Sequence, residues 1–497
     1  MQTSFLPEQG SGDQRNISRE SFSHGGLAPE NARLELELSY KSILEETTKF
    51  NRKLVSFQAS KDEILHSWLK YREGFSPQLV DGLLDEFGVQ MGERILEPFA
   101  GSATTLLVAM MRGIDATGIE ILPHCHLAWQ AKSRIAEYSV DELESIAQQV
   151  AKITFPSTPH KFPHLPITAG AFSEETENEL MALTHWIEAS SISDNARCLC
   201  RLVVTSILES ISLTRKDGQY LRWDRRSKKV QDRNRRRISQ GKKESTGIDK
   251  GALPNVREAF EVAFQEVIRD IQILKEQTYP HSQQELLEGS ALLVLPTMSE
   301  GQFAGVITSP PYANRYDYTR TYALELAYLG VKEKISDLRQ SMLSCTVENR
   351  SKMKALADYY LGIGRSESFD EIVSVIKDNA VLNEVNHALQ FRMERGEINN
   401  RGVLTMVEHY FSELAFVFAE LYRVCRPGAH VAFVNDNVRY AGEVIPVDLL
   451  TTNLAEQFGF EPVKVYVLPQ RKGNSSQQMA RNGRVALRKS ITIWRKP

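Results

Sequence analysis

An α/β fold built on a mostly parallel, doubly wound sheet is what three stretches of this 497-residue sequence predict. The first is "ERILEPFAGSATTLLVAMMRGIDATGIEILP", which reads as strand, glycine turn, apolar helix and second strand, one βαβ unit. The second is the apolar run Phe303 to Ile307, stopped by "TSPPY" at Thr308 to Tyr312. Two prolines there end regular pairing and stiffen the chain that follows. The third is the alternation from Val403 onward: a helix through Arg423, the turn "RPGAH", the strand "HVAFVND", a helix over Val447 to Phe458, and the closing strands "EPVKVYVLP" and "RKSITIWRKP".

Along the chain, residues 1–30 read as a polar, disordered tail. Residues 33–56 and 76–88 have helical apolar spacing, the second opened by Ser76 as N-cap and Pro77 at the first helical position. Arg94 to Leu96 is then a strand, Glu97 to Ser102 a turn, Ala103 to Arg112 a helix ended by Gly113, and Ala116 to Glu120 a strand. Residues 125–150 and 172–213 continue as helix, Val256 to Lys275 is an amphipathic helix, and Leu292 to Leu295 and Gly305 to Thr308 read as strands. Residues 331–396 are charged, helical and without strand signals, an insertion in the α/β pattern. The division this predicts is an N-terminal half over 31–150, a basic insertion over 151–282, a second half over 283–330, a helical insertion over 331–400 and a C-terminal part over 401–497.

With 42% hydrophobic residues the chain can bury a large core, and its formal net charge is only -3. Five scattered cysteines without a CxxC pair predict neither a disulfide framework nor a metal site, and fit a reducing cytoplasm. The N-terminus lacks an apolar signal core and no stretch approaches 18 consecutive apolar residues, so neither secretion nor membrane association is expected. Charge is concentrated. Arg215 to Lys243 holds 13 Lys or Arg against 3 Asp, a local +10 that leaves the rest near -13. This run, with Tyr220 and Trp223 beside it, suits phosphate neutralisation and base stacking; a solvated loop is its plain alternative.

Ligands of such sheets sit beyond the carboxyl ends of the strands, where Glu97, Glu120 and the Thr308 turn all fall. "EPFAGSATT" lacks the lysine of a P-loop and the G-x-G-x-x-G of a dinucleotide fold. What remains is a glycine turn into a helix N-terminus, with a carboxylate at Glu97 to accept from a cationic amine and one at Glu120 to accept from ribose hydroxyls. A ligand with a ribose and a charged amino-acid end is S-adenosylmethionine.

Together "EPFAGSATT", "GIEILP" and "TSPPY" resemble the DNA amino-methyltransferases, with their D/E-P-F-x-G-x-G-T-T and S/D/N-P-P-Y/F/W patterns. "HSWLKYREGFSPQLV", "RVCRPGAHVAFV" and the terminal hairpin extend the similarity over roughly half the chain, mainly 64–140, 283–330 and 403–497. The resemblance implies a Rossmann-like methyltransferase sheet with a C-terminal antiparallel hairpin. It further implies cofactor contacts from Phe75, Glu97, Pro98, Phe99, Gly101, Ser102 and Glu120. Two departures stand out: Ala103 replaces the second motif glycine, and Gly289-Ser290 stands where the family often has Gly-Asp.

Methylating an exocyclic amine requires acceptors that hold its two N–H groups and free its lone pair. In "TSPPY", Ser309 offers its hydroxyl oxygen, Pro310 its carbonyl, Pro311 stiffness and Tyr312 a face for an extruded base. By resemblance, serine in the first position favours cytosine N4 and aspartate adenine N6. A duplex DNA substrate with a flipped base follows, together with a restriction or defence partner, and no membrane or metal. Asn314, Arg315, Arg235, Arg236, Arg237 and Arg471 are the expected DNA contacts, with Lys472, Arg481 and Arg484 on the same late loop as Arg471. The target-recognition region is expected within 151–282, with 331–396 as the rival. An N6-adenine DNA methyltransferase, an RNA methyltransferase and a catalytically silent nucleic-acid-binding homologue are the alternatives.

Overall fold

The computed structural model describes residues 18–217, 221–331, 335–469, 482, 483 and 485–497. Tyr220, Arg471, Lys472, Arg481 and Arg484, and the first 17 residues of the expected tail, lie outside the described residues. Eight strands form the central sheet: β1 (Leu44–Glu46), β2 (Arg94–Glu97), β3 (Asp115–Glu120), β4 (Gln284–Glu288), β5 (Phe303–Thr308), β6 (Cys425–Asp436), β7 (Glu461–Val467) and β8 (Lys489–Arg495). Their spatial order is β1-β7-β8-β6-β5-β2-β3-β4. Only β8 runs against the others, pairing antiparallel with both β6 and β7. This is the expected doubly wound α/β sheet closed by an antiparallel hairpin.

The period-two alternation of the strands separates two cores. Ile95, Ile307, Ala432, Val434, Ile491 and Ile493 face one side, where they meet the helices Pro77–Phe87, Thr104–Met111 and Val256–Lys275. Leu96, Val306, Val431, Phe433 and Trp494 face the other, against Gly402–Val424 and Val447–Gln457. Each fully buried Leu, Ile or Phe contributes about 1.5–3 kcal/mol, so loss of one register would be felt across both layers.

Helix Pro77–Phe87 begins and ends as its sequence implies. The Ser76 hydroxyl accepts from Leu79 N–H, and Gly88 closes the helix at φ +65°. Elsewhere tertiary context overrides the local reading. Leu292 to Leu295, expected as strand, is helical (Ala291–Val294 and a following 3-10 turn), and the strand is Gln284–Glu288. That strand is the sheet's edge and is only partly covered, so it lacks the apolar signal of an interior strand. The apolar spacing of 33–56 yields only the helix Asn31–Ser39, then β1 and turns.

Residues 18–30, assigned to the tail, are anchored rather than free. Phe22 is buried, and Ser23 bridges to Glu443. Glu443 in turn lies 3.1 Å from the Arg33 guanidinium and 2.7 Å from that of Arg392, a buried network that no local sequence pattern announces.

Residues 335–394 carry the helices Ile335–Ser341, Met353–Gly362, Ser366–Asp378 and Ala380–Glu394, the last three sharing the second core with Gly402–Val424. Within 151–282, the helices Glu174–Ala189, Asp194–Ile211 and Val256–Lys275 join the first core, followed in chain order after Ile211 by a ribbon (Thr214–Lys216 with Leu221–Trp223) and the basic helix Lys228–Ser239. Among the described residues no helix is long and apolar enough to cross a membrane.

Candidate active site

The carboxyl ends of β2, β3, β4 and β5 open into one cleft. It is lined by Glu97, Pro98, Phe99, Gly101, Ser102 and Glu120, by Phe75, and by Ser309 and Pro311. Two motifs about 200 residues apart thus share one cavity.

The turn after β2 explains its own residues. Gly101 has φ +51°, and a Cβ there would lie 2.7 Å from Tyr71 Cε1, so both backbone conformation and space require glycine. Ala103 has φ +63° and is fully buried. This left-handed geometry, worth about 1–2 kcal/mol of strain for a non-glycine residue, is why glycine is usual at that motif position.

Glu97 is 2% exposed, and its Oε2 has no hydrogen-bond partner among the described residues. Burial, with Glu120 adding to it, pushes its carboxyl well above the usual carboxylate range, and Thr105 offsets this only in part. A buried acceptor without a donor is costly, and an ammonium group in the cleft would satisfy it.

Glu120 behaves differently. Its Oε2 accepts from Gly101 N–H at 2.6 Å, and its Oε1 accepts from Ile121 and Leu122 N–H at 2.7 and 2.8 Å. It therefore holds the glycine turn to β3 directly, an organising role that the sequence did not reveal. Burial raises its pKa against these three donors. Gly289 N–H donates to Glu120 O at 2.9 Å, which places Ser290 and Ala291 on the cleft wall opposite Phe99.

At the other end, Ser309 Oγ donates to Tyr312 Oη at 3.1 Å. Lys489 Nζ lies 3.5 Å from the same hydroxyl and 5.1 Å from the Tyr312 ring centroid, and 3.3 Å from Asp436 Oδ2. Ser309 and Pro311 line the cavity, and Pro310 and Tyr312 are not among its lining residues. Arg315 adopts φ +67°, Asn314 is exposed, and Tyr440 Oη donates to the Ala313 carbonyl, fixing the segment that leaves the turn.

Several cleft residues were not singled out from sequence. Tyr71, Glu73 and Tyr318 line it, as do Ser341, Met342 and Leu343 from the helical insertion. Tyr71 and Glu73 belong to "HSWLKYREGF", so their neighbourhood was visible although their roles were not. The insertion's contribution had no signal, because it depends on how a distant helix returns to the sheet.

Behind the cleft, His124 stacks on Tyr322 at 4.5 Å between ring centroids, and Tyr322 stacks on Tyr71 at 5.4 Å. Lys216 Nζ lies 4.4 Å over the Tyr322 ring and pairs with Glu325 in the interior. The ribbon of the basic region therefore reaches the wall of the cleft. His66 is buried and lies outside the cleft lining.

The helix Lys228–Ser239 buries Val230 in the first core and is tied to the loop that follows it through Asn234, which exchanges hydrogen bonds with Ser245, and through Arg237 Nε on the Lys243 carbonyl at 2.7 Å. Its other face leaves Lys228, Gln231, Arg235 and Arg236 exposed, Arg235 paired with Asp232. Among the described residues no cluster of three His, Cys, Asp or Glu is arranged to hold a metal ion.

No family model matches the chain. It is 55% identical over 479 residues to the type II methyltransferase M.BsoBI of Geobacillus stearothermophilus, covering 96% of this chain and 94% of that protein. It is 38% identical over 482 residues to the type II methyltransferase M.AvaI of Nostoc sp., covering 93% and 92%. A shorter similarity, 30% over 125 residues, links it to the type II methyltransferase M.MjaII of Methanocaldococcus jannaschii.

Proposed function

The chain belongs to the type II methyltransferases, and from that membership we propose that it methylates an exocyclic amino group of a base in duplex DNA, cytosine N4, using S-adenosylmethionine. The observation that carries this reading is the shared cleft: a buried Glu97 carboxyl whose Oε2 lacks a partner among the described residues, and the Ser309 turn, open into the same cavity.

The residues present fit the cofactor. Glu97 is placed to accept from the methionine ammonium, and Gly101 gives the close backbone approach that a Cβ would deny. Phe75 and Phe99 supply apolar walls, and the Ser290 hydroxyl takes the position at which the family often offers a carboxylate. Glu120 accepts from one ribose hydroxyl through the Oε2 lone pair left after its three backbone bonds. When bound, S-adenosylmethionine supplies an electrophilic methyl group on a sulfonium.

The chain's own residues then act on the base. An amino group held by Ser309 Oγ and the Pro310 carbonyl has its lone pair turned out of the ring plane. That lone pair forms the new N–C bond as the C–S bond breaks, and the proton on nitrogen leaves to solvent. Tyr312 offers its ring to the extruded base, which offsets about 1–3 kcal/mol of lost stacking. Serine in the first motif position supports cytosine over adenine. The exposed face of Lys228–Ser239, joined to the cleft wall through the Lys216 ribbon, supports a phosphate-binding role for the basic insertion.

The test is transfer of label from S-adenosylmethionine to duplex DNA, followed by digestion to nucleosides. N4-methylcytosine is expected. N6-methyladenine would overturn the choice of base, and label in RNA alone would overturn the choice of substrate.

A further inference from the structure

In the proposed reaction Ser309 must present lone pairs, not its proton, to the target amine. A serine hydroxyl rotates freely and can donate as readily as accept, so something must claim its proton. The structure shows what does. Ser309 Oγ donates to Tyr312 Oη at 3.1 Å, leaving both Ser309 lone pairs for the cleft.

The tyrosine hydroxyl is itself held. Lys489 opens β8, and Asp436 closes β6 directly opposite it in the antiparallel register. Lys489 Nζ lies 3.3 Å from Asp436 Oδ2, 3.5 Å from Tyr312 Oη and 5.1 Å from the Tyr312 ring centroid. Its side chain is 11% exposed, so this ammonium is committed to the interior. Asp436 Oδ1 is buried without a partner among the described residues, while Oδ2 pairs with Lys489. An ammonium that donates to a phenol oxygen keeps that oxygen's lone pairs directed and strengthens its ring's position by a cation–π contact.

We propose that Lys489, held by Asp436, is a positioning residue for methyl transfer: it fixes the Tyr312 hydroxyl, which in turn claims the Ser309 proton and makes Ser309 Oγ a pure acceptor for the base amine. This gives Tyr312 a second task beside stacking, one that its ring alone cannot perform. The proposal rests on the function proposed above.

The experiment is a double-mutant cycle on the full chain with duplex DNA and labelled S-adenosylmethionine under single-turnover conditions. Tyr312→Phe keeps the ring and removes the hydroxyl; Lys489→Met removes the ammonium. Each single variant is expected to slow transfer about tenfold, with cofactor affinity within twofold of wild type as the check on folding. Because both act through one hydroxyl, the double variant is expected to lose about tenfold, not a hundredfold. Losses that multiply, or a Tyr312→Phe rate equal to wild type, overturn the inference while leaving the proposed function standing. A wild-type chain that transfers no methyl to DNA overturns both.

Discussion

Replacing Glu97 by glutamine should stabilise the free protein while weakening its hold on the cofactor. In the free protein the Glu97 carboxyl is buried, one oxygen lacks a partner, and its pKa is raised well above the ordinary value chiefly by burial. The unfolded chain ionises this group at an ordinary carboxylate pKa, whereas the folded protein holds its proton to higher pH. Stability is therefore lost as pH rises above that ordinary value, by about 1.4 kcal/mol for each pH unit until the folded group also ionises. Glutamine is nearly isosteric and carries no such penalty, so its advantage should be small near pH 4.5 and grow as pH rises toward neutrality. Binding should move oppositely. A charge-assisted hydrogen bond to an ammonium is worth about 1.5–3 kcal/mol, so the variant should bind S-adenosylmethionine roughly 10- to 100-fold more weakly. The assays are urea unfolding at pH 5 and pH 7.5 and calorimetric titration. In calorimetry, wild-type binding should also release a proton over the pH range in which burial keeps free Glu97 protonated, and the variant should not. A variant that is less stable at pH 7.5, or that binds the cofactor as tightly as wild type, refutes the reasoning.

Three further outcomes follow from the same geometry. Gly101→Ala forces a left-handed alanine and a Cβ 2.7 Å from Tyr71. It should cost about 1–2 kcal/mol of stability and at least tenfold in cofactor affinity, and retention of both would refute the cradle. His66 and His124 are buried and held near pKa 3, His66 by burial with Lys132 and His124 by burial with Lys216. They stay neutral when folded and protonate when unfolded, so stability should fall as pH drops below about 6.5. The loss between pH 7 and pH 5 is roughly 2 kcal/mol for each, and His124→Phe should remove about half of that slope in denaturant titrations. Neutralising Arg235 and Arg236 should flatten the salt dependence of DNA binding by about one to two in the log–log slope, with a smaller effect at Arg237, which is bound to the Lys243 carbonyl. An unchanged slope would return the helix to a solvated element.

What could be read in advance was what is local. The Glu97 turn, the Ser309 turn and the helix opened by Ser76 and Pro77 each carry their geometry in a few consecutive residues, and they stand where the sequence put them. The edge strand Gln284–Glu288 was missed because half-exposure removes the apolar run by which strands are recognised. The anchoring of Phe22 and Ser23 was missed because it depends on Glu443, 420 residues away. Lys489 illustrates the same limit within the site. A lysine at the start of a closing strand has nothing unusual about it until the antiparallel register sets it beside Asp436 and the Tyr312 hydroxyl. Glu120 was legible as a cleft carboxylate but not as the clasp of the glycine turn, since its three backbone donors come from two different segments.

The central claim is that one cleft brings a methyl donor to a base amine held by Ser309. Its most direct test is to supply the purified chain with methyl-labelled S-adenosylmethionine and mixed-sequence duplex DNA, digest the product and resolve the nucleosides by mass. The account predicts label in N4-methylcytosine, abolished by Ser309→Ala with cofactor binding retained. Label appearing in DNA undiminished after that substitution would contradict it.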